Sequence, residues 1–159
     1  MSVFADTSVL CGLLHEQDNS READTLLAEA GKVITLSTLV VFEFKQSTRL
    51  QTFRFDSDRT QGWAERETGR MLAQFDSNVD AGAFVFAEVD WADVHSLAER
   101  LSAAHTRREG HRTLDVLHVA TAVHLRAEKF LTLDGGQAAL ARAAGLKVPE
   151  RLAGKGRRK

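Results

Sequence analysis

A carboxylate interrupts the apolar segment at the start of the chain, between Val3–Ala5 and Thr7–Leu14. The first segment predicts a short buried strand, and the second predicts a helix that Asp6 or Thr7 can cap. An ionised carboxylate buried without a partner costs on the order of several kcal/mol, so Asp6 requires a partner. Three other acids stand in similar positions, and we interpret the four as one metal site: Glu43, Asp115 and Asp134.

Strand and helix patterns alternate along the rest of the chain. Strands are predicted at 2–5, 32–36, 83–89, 130–133 and 146–148. Helices are predicted at 7–14, 21–30, 39–50, 57–75, 91–104, 114–128 and 137–144, with 51–80 as a helical arm and 106–112 as a basic loop. Later helices have candidate caps in Ser37 or Thr38, Asp90 and Thr113. We therefore expect one α/β domain at 1–150, with a mainly parallel sheet of four to five strands and helices on both faces, and a basic, mobile tail at 151–159.

The composition excludes several kinds of protein. The 159 residues include 21 basic and 22 acidic side chains, so only a local basic patch can attract nucleic acid electrostatically. The single cysteine, Cys11, excludes an internal disulfide and a cysteine-rich zinc site. No apolar run approaches the roughly 20 residues that span a bilayer. The N-terminus also lacks the features of a signal peptide, and we expect a cytoplasmic protein without a membrane partner.

The predicted topology places the four acids at one edge of the sheet. Sites in open parallel sheets form beyond the carboxyl ends of the strands. Asp6 and Asp134 each follow a predicted strand, and Asp115 begins a helix, so it faces the same edge. Glu43 lies about one to two turns into the helix after the second strand, which is near enough to reach back.

These four carboxylates repel one another strongly unless a cation lies between them. Their hard oxygen atoms suit Mg²⁺ or Mn²⁺ better than zinc. Such an ion lowers the pKa of a bound water and stabilises charge on a phosphate. The residues thus favour metal-dependent phosphoryl chemistry.

Each acid also has a purely structural interpretation. Asp6 can act only as a helix cap, Asp115 only as an acid in the first turn of a helix, and Asp134 only as part of a turn before two glycines. Glu43 is surrounded by apolar residues in sequence, and it can form a structural salt bridge with an arginine. These alternatives weaken only when the four acids are taken together.

A histidine and three arginines lie near Asp115 in sequence. His118 follows Asp115 by one turn and can pair with it at a metal, although a packed histidine near the site is favoured. Arg107, Arg108 and Arg112 precede the same helix, where they either contact RNA phosphates or remain solvated.

Four segments together resemble the PIN-domain ribonucleases, and more narrowly the VapC-type toxins of bacterial toxin–antitoxin pairs: Phe4–Ser8, Val40–Phe44, Asp115–Ala122 and Leu131–Asp134. The resemblance implies a PIN-like fold and Mg²⁺ or Mn²⁺ held by the four acids. It also implies cleavage of single-stranded RNA by metal-activated water. Asp6 and Asp115 are the implied central ligands, while Glu43 and Asp134 bind the metal directly or through water.

The same resemblance implies supporting residues and partners. Thr7 and Thr132 would orient the carboxylates by hydrogen bonds. VapC-type toxins are usually homodimers, and a small antitoxin occupies their active groove with its C-terminal segment. Two features depart from the family: Gly135–Gly136 follows Asp134 in place of larger residues, and the arm at 51–80 matches poorly.

Three other functions fit parts of the pattern. A PIN-like RNA-processing nuclease and a non-catalytic RNA-binding scaffold are compatible with the same resemblance, although retention of all four acids argues against a scaffold. An aspartate-based phosphatase also places an aspartate after the first strand. That phosphatase pattern requires a second aspartate at the position of Ser8.

Overall fold

The computed structural model describes residues 2–15, 25, 28 and 33–149. The predicted helix at 21–30, apart from residues 25 and 28, and the whole of the predicted tail at 151–159 lie outside these residues. Within the part of the chain that is described, no helix is both long enough and apolar enough to cross a membrane.

The described residues form a sheet of four parallel strands. The strands are β1 (Val3–Ala5), β2 (Ile34–Leu36), β3 (Phe84–Phe86) and β4 (Lys129–Leu131), in the spatial order β3-β2-β1-β4. Phe4 lies in register with Thr35 of β2 and with Phe130 of β4. The predicted strand at 146–148 contributes only an isolated parallel bridge between Lys147 and Lys129. The predicted parallel α/β sheet is therefore confirmed, with four strands.

Two groups of helices pack around this sheet. In the described residues they are α1 (Thr7–Leu14), α2 (Thr38–Ser57), α3 (Glu65–Asp80), α4 (Trp91–Leu101), α5 (Arg107–Glu109), α6 (Thr113–His124) and α7 (Gly135–Ala143). Helix α1 packs against α2 and α3, whereas α6 packs against α4 and α7. The chain moves from β1 to β2 and β3, then returns past β1 to β4. Because such crossovers are right-handed, the reversal sends the second group to the opposite face.

The burial of the central strand shows that both faces of the sheet are covered. Val3, Phe4 and Ala5 are all buried, although consecutive residues of a strand point to opposite faces. At the edge of the sheet, Phe84 of β3 is buried while Val85 and Phe86 are exposed. Asp6, at the end of β1, therefore lies near the middle of the sheet, where packing on both faces fixes the backbone.

Side-chain caps fix the starts of several helices as the sequence predicts. Asp6 accepts a hydrogen bond from the Val9 amide at the start of α1. Ser37 caps α2, and Asp90 caps α4. The expected cap Thr113 is instead the first residue of α6, whose N-cap position is held by Arg112 without a side-chain cap bond.

The predicted helix at 57–75 is wrong in its limits. Helix α2 continues to Ser57, and a turn separates it from α3, which begins at Glu65. Gly62 in this turn has a φ of 63°, and a Cβ there would lie 2.1 Å from the Gln51 carbonyl oxygen. The turn thus needs a glycine, since it packs directly on the backbone of α2.

The predicted basic loop at 106–112 is also largely helical. After α4 the chain forms a π-helical turn at Ser102–Thr106 and then α5. Gly110, with a φ of 72°, ends this helical segment. Helix α6 in turn ends at His124, before the predicted limit of 128, and Arg126 follows with a φ of 50°.

Candidate active site

The strand order reverses between β1 and β4, and ligand sites in open α/β sheets form at such a reversal. Asp6 follows β1 directly, and Thr132 follows β4 directly. Asp134 then begins α7 as its N-cap, with its Oδ1 atom accepting a hydrogen bond from the Gln137 amide at 3.0 Å. The topology alone therefore brings these side chains to the same end of neighbouring strands.

Asp6 is only 3% exposed, and protein donors surround its carboxylate. Its Oδ1 atom accepts hydrogen bonds from the Ser8 hydroxyl at 2.7 Å and the Val9 amide at 3.2 Å. Its Oδ2 atom lies 2.7 Å from the Thr132 hydroxyl. Burial raises the pKa of Asp6 to about 6, although these hydrogen bonds and the charge of His118 oppose the rise. Asp6 is thus a carboxylate whose charge the metal-free protein stabilises only in part.

Two hydroxyls tie the ends of β1 and β4 together around this carboxylate. The Ser8 hydroxyl, which donates to Asp6, also accepts a hydrogen bond from the Leu133 amide at 2.8 Å. The Thr132 hydroxyl accepts one from the Asp134 amide at 3.0 Å. The sequence indicated Thr132 as an orienting residue, and the structure adds Ser8 to that role.

Glu43 reaches the site from the second turn of α2. Its Oε2 atom accepts a hydrogen bond from the Thr7 hydroxyl and lies 2.6 Å from His118 Nε2. Burial acts to raise the pKa of Glu43, but the hydrogen bonds from His118 and Thr7, with the charges of His118 and Arg112, outweigh it and lower the pKa. The sequence left open a salt bridge between Glu43 and an arginine; its partner here is a histidine.

His118 is buried and turns toward Glu43, not toward Asp115. Its Nδ1 atom is also buried, and among the described residues it has no hydrogen-bond partner. Because an ionised carboxylate can only accept hydrogen bonds, Nε2 is the donor to Glu43. The structure therefore supports the packed histidine that the sequence favoured, with the added task of orienting Glu43.

Asp115, in the first turn of α6, is held by Arg112 from the preceding turn. Arg112 Nε and Nη2 lie 2.9 and 3.1 Å from the two carboxylate oxygens of Asp115. The same Nη2 atom lies 3.8 Å from Asp134 Oδ2. The three arginines were expected to contact RNA phosphates or remain solvated, and Arg112 instead binds Asp115 and lies near Asp134. Arg107 and Arg108 lie exposed on α5, and no salt bridge to the acids appears for them in the described residues.

Gln137 belongs to the same cluster, although it was not predicted from the sequence. Its side chain is buried in the first turn of α7, with Oε1 2.9 Å from the Thr132 hydroxyl. Its Nε2 atom donates to the Asp115 carbonyl oxygen at 3.4 Å. A polar residue three positions after an N-cap aspartate, before the apolar part of α7, was the available signal. Gln137 links the end of β4 to the start of α6.

Residues 3–143 match the PIN domain family. The chain belongs to the PIN domain family. PIN domains are nucleases, and membership places this chain among hydrolases that act on nucleic acid.

Solved structures similar to this PIN domain share little sequence with it. FitAcB from Neisseria gonorrhoeae is 18% identical with a TM-score of 0.61, over 92% of this chain and 95% of that chain. VapC20 from Mycobacterium tuberculosis, a toxin that cleaves the sarcin–ricin loop, is 20% identical with a TM-score of 0.61, over 87% of this chain and 94% of that one. VapBC2 from Rickettsia felis, bound to a promoter DNA fragment, is 14% identical with a TM-score of 0.60, over 94% of this chain and 98% of that one. Comparison with curated proteins found no match. The PIN-like fold that the sequence predicted is confirmed.

PIN nucleases generally depend on a divalent metal, which raises the question of whether these residues suit one. Among the described residues, no three Asp, Glu, His or Cys side chains converge as a ready-made metal site. The acids instead engage protein donors: Asp6 two hydroxyls, Glu43 a threonine and a histidine, and Asp115 an arginine. The four acids nevertheless supply carboxylate oxygens, the ligands that Mg²⁺ and Mn²⁺ prefer. The Arg112 guanidinium lies beside Asp115 and Asp134, so a positive charge already balances part of the charge of these two acids.

Proposed function

We propose that this PIN domain is an endoribonuclease that uses Mg²⁺ or Mn²⁺ to cleave single-stranded regions of RNA. The observation that carries the proposal is the buried Asp6 carboxylate at the reversal between β1 and β4, with its raised pKa. Buried carboxylates with a raised pKa cluster at functional sites, where a bound cation or substrate can compensate for the unfavourable charge. We assign the activity to one domain at residues 1–150.

Asp6 and Asp115 are the proposed central metal ligands, with Glu43 and Asp134 binding directly or through water. When bound, the ion supplies a water of lowered pKa and stabilises the charge that develops on the scissile phosphate. The carboxylates that bind it must be held in fixed orientations, and the hydroxyls of Ser8 and Thr132 do this for Asp6.

Thr7 and His118 have the corresponding task at Glu43. Both donate to the same Oε2 atom, which leaves Oε1 as the oxygen that can turn toward a ligand. Positive charge for the RNA backbone comes from the segment that precedes α6. We assign phosphate contacts to Arg107 and Arg108, which are exposed, and to Arg112 when it is released from Asp115.

RNA is favoured as the substrate class by the likeness to VapC20, which is a toxin that cleaves the sarcin–ricin loop. Two of the similar structures, FitAcB and VapBC2, bear the names of toxin–antitoxin pairs. We therefore propose that this chain is the toxin of such a pair, with a cognate antitoxin as its protein partner. The residue-level resemblance to VapC-type toxins supports the same assignment.

We also propose a homodimer, in which a second copy covers an apolar hollow between α2, α4 and α6. The hollow has a volume of about 400 Å³ and is lined by Thr38, Leu39, Phe42, Trp91, His95 and Leu117. Phe42 lines this hollow and is 66% exposed, and a contiguous exposed apolar patch of this kind can mark a contact surface for a partner. Analytical ultracentrifugation tests this proposal by measuring the molecular mass of the wild-type chain and of Phe42→Glu. The wild type should be a dimer and Phe42→Glu a monomer, and a monomeric wild type would contradict the proposal.

The nuclease proposal is tested with Asp6→Asn and Asp115→Asn. Both variants remove a charge with little change in volume. The wild-type chain should cleave a single-stranded RNA when Mg²⁺ or Mn²⁺ is present and lose this activity in EDTA, whereas both variants should be inactive. Full activity in both variants would contradict the proposal. Tight binding of RNA without cleavage under any metal condition would instead support the non-catalytic scaffold.

A further inference from the structure

Arg112 lies between two elements that bear the proposed metal ligands. It occupies the N-cap position of α6, and its guanidinium binds both oxygens of Asp115. Its Nη2 atom also lies 3.8 Å from Asp134, which begins α7. The charge of Glu43 acts on it from α2 as well. A single side chain thus neutralises part of the charge of three acids on three helices.

The guanidinium has the properties of a replaceable counter-ion. The Arg112 side chain is 63% exposed, whereas that of Asp115 is 16% exposed. Arg112 can therefore leave toward solvent without disturbing the core. The guanidinium lies 2.9 and 3.1 Å from the two oxygens of Asp115, and each oxygen keeps a second lone pair. A metal on the same carboxylate would stand beside the positive guanidinium, so the two cations compete for Asp115 through charge repulsion.

We propose that Arg112 is a built-in competitor of the metal: its guanidinium binds Asp115 and Asp134 when no metal is present, and a divalent cation must displace it. This inference rests on the proposed metal dependence and adds a regulatory element to it. Arg112 lowers the metal affinity of the free protein while preventing repulsion among the acids. Once displaced, it remains beside the site with its charge available for a phosphate.

Binding of Mn²⁺ to the full-length, metal-free chain tests the inference without any RNA. Electron paramagnetic resonance of free Mn²⁺ measures the dissociation constant for the wild type, Arg112→Gln, Arg112→Lys and Arg108→Gln. The last variant is the matched control, because it removes the same charge from the same segment without touching the acids. An ion pair of this kind is worth roughly 1 kcal/mol, so Arg112→Gln should bind Mn²⁺ about fivefold more tightly than Arg108→Gln. Arg112→Lys should fall between them, because lysine keeps the charge but lacks the planar fork.

Nuclear magnetic resonance gives an independent measurement on the wild-type chain. The Arg112 Nε–H signal is assigned by its loss in Arg112→Lys, and Mg²⁺ is added as a diamagnetic ion. The signal should move as the site fills, while the Arg108 Nε–H signal stays in place.

Two results would overturn the inference: an Arg112→Gln affinity no tighter than that of Arg108→Gln, or an Arg112 signal unchanged at saturating Mg²⁺. If the wild type binds Mn²⁺ and Arg112→Gln binds it more tightly, yet no RNA is cleaved, the inference stands and the nuclease proposal fails. If no variant binds metal, both fail.

Discussion

The Thr132 hydroxyl lies 2.7 Å from Asp6 Oδ2, although the two residues are 126 positions apart in sequence. Each directly follows a strand, and the two strands are neighbours in the sheet. The same hydroxyl lies 2.9 Å from Gln137 Oε1 and accepts a hydrogen bond from the Asp134 amide. Because a hydroxyl has one proton, it donates to either Asp6 or Gln137 at a time. Thr132 is thus the residue on which the polar cluster converges.

Thr132→Val should destabilise the protein by about 1–3 kcal/mol, because it leaves buried polar groups without their partner. The matched control is Thr121→Val, at a threonine that is also buried but donates only to the Leu117 carbonyl of its own helix. Urea unfolding at neutral pH measures both variants. Equal losses in the two variants would show that the hydroxyl of Thr132 has no special role.

Asp6 should make the metal-free protein less stable as the pH rises. Its pKa is raised to about 6 in the folded state, from 3.8 as an ordinary aspartate. Between these values the folded state binds more protons than the unfolded state, so stability falls as pH rises from about 4 to about 6 and is then constant. The deficit above that window is on the order of 1–3 kcal/mol.

Asp6→Asn provides the comparison for this pH dependence. Asparagine also caps helices, and its amide can donate to Thr132, so the fold is maintained. In EDTA the variant should exceed the wild type in stability at pH 7.5, and the gap should narrow toward pH 4. The midpoints of urea unfolding of both proteins at several pH values measure this difference in stability. A difference that does not vary between pH 4 and 7 would refute the assignment to Asp6.

Glu43→Gln should be less stable than the wild type at neutral pH, in contrast to Asp6→Asn. His118 and Thr7 favour the ionised form of Glu43, which lowers its pKa in the folded state. Glu43 therefore stabilises the fold above its unfolded-state pKa of about 4.5. This stabilisation is lost as the pH falls through the folded-state pKa. The variant should lose about 1 kcal/mol at pH 7, and this loss should shrink as the pH falls below 4.5. Glu67→Gln, at an exposed pair with Arg70, is the control and should change stability little. A larger loss in the control would contradict this expectation.

Gly62→Ala should be among the most damaging single substitutions. The new Cβ would lie 2.1 Å from the Gln51 carbonyl oxygen, at a φ of 63°. Gly82→Ala is the matched control, because Gly82 has a φ of 71° but no atom within 4 Å of an added Cβ. The control should lose about 1–2 kcal/mol from backbone strain alone, and Gly62→Ala should lose clearly more, as thermal melting would show. Similar melting temperatures would indicate that the α2–α3 turn relaxes easily.

The sequence predicted most of the fold because its signals are local. Alternating strand and helix patterns and the caps Asp6, Ser37 and Asp90 each depend on a few adjacent residues, and the structure contains them. The limits of α2 and α3 were missed, since helical spacing continues across the turn. Gly62 was the visible signal for that turn, but the carbonyl that forbids a side chain lies eleven residues away.

The candidate site was predictable in its residues but not in its contacts. Asp6, Glu43, Asp115 and Asp134 stood out by their positions in the sequence. Their partners depend on which elements become neighbours, as with His118 beside Glu43 across 75 residues. Gln137 was missed for the same reason, because its role exists only once α7 begins beside the end of β4.

The hydrogen bonds of Ser8 also determine when the cluster can assemble during protein synthesis. Ser8 and Asp6 leave the ribosome well before their partners, since the amide of Leu133 and the hydroxyl of Thr132 are made 125 and 126 positions later. Domains fold as their segments emerge, so a growing chain has no ordered carboxylate cluster until β4 inserts beside β1. The cluster can therefore act on a substrate only after β4 has joined the sheet. A chain whose synthesis stops before β4 lacks the ordered cluster and the activity that depends on it.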